Sequence, residues 1–251
     1  MRAVMLMALM LGLLGTANAK PVHTHGATHA ADWTKIYAAT PAGGIKQGNP
    51  QAPVKLVEYF SPACPHCKHF ADDSRAGLSA MVATGKLSYE MRPLLLGYPH
   101  EPALDVLLQC GAPAQDAALT DLFFAKQEEI FAQIQPVFKA NAPRWQQMPI
   151  TAAYSDIADK LGLVALAQQS GIAPARSHAC LANKRNYDAV QAISKTAEQL
   201  HVNQTPSFFL NDAPLATVLT ESPWVSVKRV LDATLPGVAW PQLPVPKKGS
   251  R

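Results

Sequence analysis

Two cysteines two residues apart, Cys64 and Cys67 in "SPACPHCKHF", are the part of this 251-residue sequence best equipped for chemistry. Thiols at that spacing can grip a metal, close a structural disulfide, or shuttle electrons through a reversible one. Pro65 and His66 lie between them. A proline suits the first turn of a helix, where its missing N–H has no intrahelical partner to lose. A helix starting at Cys64 would aim its free N–H groups and the positive end of its dipole at the Cys64 sulfur, favouring the thiolate. His66 adds a donor or a cation nearby. Cys67 then lies about one turn deeper. Cys110 and Cys180 bring the cysteines to an even number. The short spacing of the first two favours the pairing Cys64–Cys67 with Cys110–Cys180. A Cys110–Cys180 disulfide would close a loop of about 70 residues and stabilise by about 4 kcal/mol on the chain-entropy model. A pair of buried free thiols is the alternative.

The elements around the pair follow from period and punctuation. "VKLVEYF", 54–60, is short, β-branched and aromatic, and is bounded by Pro53 and by Ser61-Pro62; it predicts a buried strand. A helix follows from about Cys64, with Phe70, Leu78, Met81 and Val82 as its apolar face and Gly85 as its stop. "KLSYEMRPLLL", 86–96, predicts the next strand. Strand, helix and strand in so short a span make a βαβ unit with a parallel pair. From Glu101 to about Leu200 the apolar spacing is helical throughout, with breaks at Gly111, Pro143, Gly162 and Gly171. Strand character returns in "PSFFLN", 206–211, and in "APLATVL", 213–219, with Asn211-Asp212 at the turn of a hairpin. "SPWVSVKRVLDATL", 222–235, predicts a closing helix with Ser222 as its cap. Upstream, "WTKIY", 33–37, reads as a short strand and residues 40–53 as a Gly- and Pro-rich loop.

Composition bounds the partners. The chain is 48% hydrophobic and 16% charged, which predicts a packed core. A formal net charge of +4 without a basic run in the middle argues against nucleic acid. At the N-terminus, Arg2 precedes an apolar stretch from Ala3 to Leu14 and then Ala17-Asn18-Ala19, the pattern of a cleaved signal peptide over residues 1–19. The apolar stretch is short for a bilayer span. Export places the mature chain in a compartment that permits disulfides. His23, His25 and His29 lie in an arm without apolar pattern; a solvated tail is the plainer explanation than metal gathering.

A CxxC beside a βαβ pattern is a thioredoxin-like redox signature. The order βαβ, long helical block, ββα, together with "VEYFSPACPHC" and "TPSFF", resembles the periplasmic disulfide oxidases of the DsbA kind over about residues 50–235. The resemblance implies an α/β chain with a thioredoxin-like fold and an inserted all-helical domain. Its expected divisions are signal peptide 1–19, arm 20–48, thioredoxin-like 49–100, helical insertion 101–199, thioredoxin-like 200–235 and tail 236–251. The resemblance also implies the roles. Cys64 is the attacking and leaving thiol, activated by Pro65-His66, and Cys67 is its buried partner. Glu58, on the strand before the motif, is a buried acid for proton transfer, with a pKa raised by burial. Thr205-Pro206 is a cis-proline pair beside the CxxC whose backbone receives substrate as an added strand. Threonine at 205, where these oxidases often carry valine, is also found in disulfide isomerases. Isomerases of the DsbC kind carry an N-terminal dimerisation domain, for which about 30 mature residues are too few. The expectation is therefore a monomeric oxidase of reduced exported proteins, located in the periplasm, reoxidised by a DsbB-like membrane quinone reductase, and without metal or other cofactor; a disulfide isomerase or reductase of the same fold is the runner-up. A metal-binding module is the competing class; it needs about four ligands, and the motif supplies two close in sequence.

Overall fold

The computed structural model describes residues 31–237. The signal-peptide pattern, the His23–His29 arm and most of the predicted tail lie outside them. Among the described residues six strands form one sheet in the order β1-β2-β4-β3-β5-β6. They are β1 (Tyr37–Ala39), β2 (Ile45–Gly48), β3 (Val54–Phe60), β4 (Leu87–Pro93), β5 (Ser207–Leu210) and β6 (Ala213–Leu215). The β3–β4 pair is parallel and every other pair antiparallel. The crossover between β3 and β4 is α1 (Pro65–Ala83), and Gly85 ends it at φ +71°. Among the described residues no helix is long and apolar enough to cross a membrane.

β3 is central because both of its faces are covered. Val54 and Leu56 meet Phe70, Met81 and Val82 of α1 and Trp224 and Leu231 of α9 (Pro223–Thr234). Val57 and Tyr59, on the opposite face, meet Ile193 and Ala197 of α8 (Lys184–Gln199). The period of two therefore decides which layer each side chain enters.

The helical block runs through α2 (Glu101–Leu107), α3 (Pro113–Ala125), α4 (Gln127–Trp145), α5 (Ile150–Lys160), α6 (Leu163–Gln169) and α7 (Pro174–Leu181) before α8. Its core includes Leu104, Leu107, Leu119, Phe123, Ile157 and Leu181, and reaches Phe60, Cys64 and Cys67 at the end of β3 and the start of α1. Cys64 and Cys67 thus sit where the helical layer meets the sheet.

Four local expectations are corrected. Residues 33–35 form a 3-10 turn rather than the start of a strand, because the Asp32 carboxylate accepts from the Thr34 N–H at 3.2 Å and caps it; strand begins at Tyr37. The expected loop 40–53 contains β2, since Gly43, at φ +79°, turns the chain back onto the free edge of β4. Pro143 does not break the helices: α4 runs through both Pro136 and Pro143. Packing overrides the missing N–H groups there, with Ile130 and Trp145 buried and the Trp145 Nε1–H donating to Asp156 at 2.7 Å. The second arm of the C-terminal hairpin is only three residues long, and its turn holds Asn211 and Asp212 at φ +47° and +66°.

Candidate active site

Cys64 is the N-cap of α1 and Pro65 occupies the first turn. The Cys64 N–H donates to the Ser61 carbonyl at 3.0 Å, which folds "SPAC" into the turn that joins β3 to the helix. Cys64 and Cys67 are not joined by a disulfide here and are 5% and 0% exposed. In its protonated form the Cys64 sulfur donates to the Thr205 carbonyl at 3.3 Å. That links the motif to a segment 141 positions away, where the Thr205-Pro206 bond is cis.

The two sulfurs are electrostatically unlike. Cys64 is pushed down to about 5, first by the hydrogen bond that Cys67 donates, with further donation from Thr205 and from the main-chain N–H groups of Cys67 and His66. These are the free N–H groups of a helix terminus acting on an anion. Cys67 is pushed well above the ordinary thiol range by burial, by the bond it gives to Cys64, and by the Glu58 charge. At neutral pH one sulfur is therefore a thiolate and the other a thiol. Pro65 and His66 are exposed, and it is the backbone N–H of His66 that acts on Cys64.

Glu58 is 3% exposed on the central strand, with Oε1 lacking a hydrogen-bond partner. Burial lifts its carboxyl to about 8, and the Cys64 charge adds to the rise. The Tyr89 hydroxyl donates to Oε2 and partly offsets it. The acid thus keeps its proton at neutral pH beside a cysteine whose charged form is disfavoured. The Thr205 hydroxyl is also buried without a protein hydrogen-bond partner in the thiol state, so its proton is at hand for a Cys64 thiolate.

Three residues of the site carried no motif. Gln127, at the start of α4, gives its amide to the carbonyls of Pro62 at 2.8 Å and Cys64 at 3.1 Å, fastening the turn to the helical block. Glu101 accepts from the Ser61 hydroxyl at 2.7 Å and from the N–H groups of Leu96 and Tyr98, both at 2.8 Å. Tyr89 lies on β4 two residues from Met91, the register partner of Glu58. An aromatic residue at an inward position of "KLSYEMRP" was the one sequence signal among them. Cys110 and Cys180 lie in the helical block and form a disulfide with Cα atoms 5.9 Å apart. Among the described residues no group of three or more His, Cys, Asp or Glu side chains is arranged to hold a metal ion.

A family model described as Thioredoxin matches residues 40–232. A curated Rickettsia conorii protein with a provisional protein-disulfide oxidoreductase name is 26% identical over 191 residues, 74% of this chain and 59% of its own length. A Rickettsia typhi counterpart is 26% identical over 190 residues, covering 74% and 62%. The chain thus spans about three fifths of the length of the curated relatives it matches. The crystal structure of a protein-disulfide isomerase from Novosphingobium aromaticivorans superposes with a TM-score of 0.68 at 26% identity, covering 77% of this chain and 98% of that one. Chlamydia trachomatis DsbA shares the fold, with a TM-score of 0.53 at 15% identity over 75% of this chain and 88% of that one.

Proposed function

Because this chain belongs to the thioredoxin family, we propose that Cys64 and Cys67 form a redox-active disulfide that is donated to reduced exported proteins. The observation that carries the proposal is the asymmetry of the pair: Cys64 at about 5 on a helix N-terminus, and Cys67 driven the other way beside a neutral buried acid.

A substrate thiolate attacks the Cys64 sulfur of the disulfide. The Cys64–substrate S–S bond forms as the Cys64–Cys67 bond breaks, and Cys67 leaves with the electron pair. The Glu58 carboxyl supplies the proton that Cys67 needs, since a bare Cys67 thiolate is strongly disfavoured by burial. A second substrate thiolate then attacks its partner sulfur in the mixed disulfide. Cys64 departs as a thiolate already stabilised by N–H donors, which makes it a good leaving group. The substrate is oxidised and the pair reduced by two electrons. Each pKa unit by which Cys64 is lowered stabilises the reduced form by about 1.4 kcal/mol, or about 30 mV for a two-electron couple. We assign the Thr205 backbone to receiving an extended substrate segment.

The chemistry is carried by the two sulfurs without a further cofactor. We place the chain in the periplasm as a monomer, delivered by the N-terminal signal and reoxidised by a membrane quinone reductase of the DsbB kind. Disulfide isomerisation is the second reading, favoured by Thr205 and by similarity to the Novosphingobium aromaticivorans protein-disulfide isomerase. Oxidation of a reduced, unfolded test protein separates activity from its absence. The chain should restore its disulfides and Cys64→Ser should not; equal rates in the two would contradict the role of Cys64.

A further inference from the structure

Glu58 is cut off from water by its own burial, yet the proposed reaction takes a proton from it at every turnover. The carboxyl is 3% exposed, and its hydrogen-bond partner is the Tyr89 hydroxyl. Tyr89 in turn lines a cavity of about 320 Å³ between α1, the β1–β2–β4 side of the sheet and α3. Met91 shares its floor, and Arg75 and Asp121, paired at 3.0 Å and both more than half exposed, stand on its walls, so it opens to solvent. At about 30 Å³ per molecule there is room for several waters, and the lining offers them polar partners in Tyr37, Gln47 and Ser74. The titratable groups around Glu58 and Tyr89 are Cys64 and Cys67 from the start of α1 and, across the cavity, Tyr37, Arg75 and Asp121.

We propose that this cavity is the proton inlet of the site and that the Tyr89 hydroxyl relays protons between its water and Glu58. The inference rests on the redox function above. When Cys67 leaves as a thiolate, Glu58 gives it a proton and becomes a carboxylate. The Tyr89 O–H bond then breaks toward Glu58 Oε2 while a new O–H bond forms from cavity water to the Tyr89 oxygen. The hydroxide exchanges into bulk solvent and is neutralised there by the proton that the substrate thiol released on becoming the attacking thiolate, so Tyr89 carries no net charge at any stage. That concerted route fits a phenol whose ionised form is disfavoured by burial and by the neighbouring Glu58 charge. Tyr89 acts through Glu58 and is a positioning residue in this scheme.

The test is rapid-mixing infrared spectroscopy of the oxidised chain reduced with dithiothreitol. The Glu58 carboxyl band is identified by its loss in Glu58→Gln. In the wild-type chain the band should recover as fast as it is lost. In Tyr89→Phe the ionised carboxylate should persist roughly ten-fold longer or more. Recovery at the wild-type rate in Tyr89→Phe would overturn the relay. Ala117→Leu, which fills part of the cavity from α3, gives a second arm; it too should slow recovery, and unchanged recovery counts against the inlet. Because the reductant is a small dithiol, failure to oxidise reduced proteins would contradict the proposed function while leaving this readout intact.

Discussion

Glu58 is an acid that the fold holds at a cost. Its pKa is raised from 4.5 to about 8, so the sign of its effect is fixed. Below about pH 4.5 it is protonated in both folded and unfolded chains and costs nothing through ionisation. As pH rises toward 8 the unfolded chain gains by ionising and the folded chain does not, so stability falls. Glu58→Gln removes this term. By pH 7 the variant should be more stable on the order of 3 kcal/mol, with the difference vanishing near pH 4. Urea unfolding at several pH values measures it, and a constant difference across that range would contradict the buried-acid assignment. At this scale the sequence was informative where chemistry clusters in a motif: Cys64, Cys67 and Glu58 lie within ten residues of one another along the chain. Tyr89 and Gln127 were not legible, because each acts through a contact made across more than 30 residues by side chains common in any core or surface.

At the scale of elements, α1 carries the site and is seated by α9. Gly77 lies on the buried face of α1, where a Cβ would fall 2.4 Å from the Trp224 ring. Glycine inside a helix ordinarily costs about 1 kcal/mol relative to alanine, so the residue is present for space. Gly77→Ala should therefore destabilise the chain by about 1–3 kcal/mol, since a large buried ring must shift. Chemical denaturation checks this; a gain in stability would show that Trp224 moves freely. The elements around the motif were readable because period and punctuation agree there: β3 and α1 are bounded by proline and glycine. β2 and the continuous α4 were not. β2 is a four-residue strand stabilised by its pairing with β4, and α4 keeps its prolines because both of its ends are buried in the helical block. Tertiary contacts, invisible in a local window, decided both.

At the scale of the whole molecule, the helical block and the sheet meet at the Cys64 turn, and the block has its own fastening. The Cys110–Cys180 disulfide spans 70 residues. Replacing both cysteines with alanine should cost about 4 kcal/mol while leaving oxidation of a test protein near the wild-type rate at temperatures where the variant is folded. Loss of activity in the folded variant would instead assign that disulfide to the chemistry. The order βαβ, helices, ββα was legible in the sequence because each segment keeps one period over many residues. How the block docks was not, since it depends on Gln127 and Glu101 reaching across to the turn. The central claim is that this turn stabilises the reduced form enough to make the disulfide an oxidant. The most direct test is the reduction potential of the Cys64–Cys67 pair, measured by equilibration with glutathione. A value more oxidising than about −180 mV is expected, and a value near the roughly −270 mV of a thioredoxin-type reductant would contradict it.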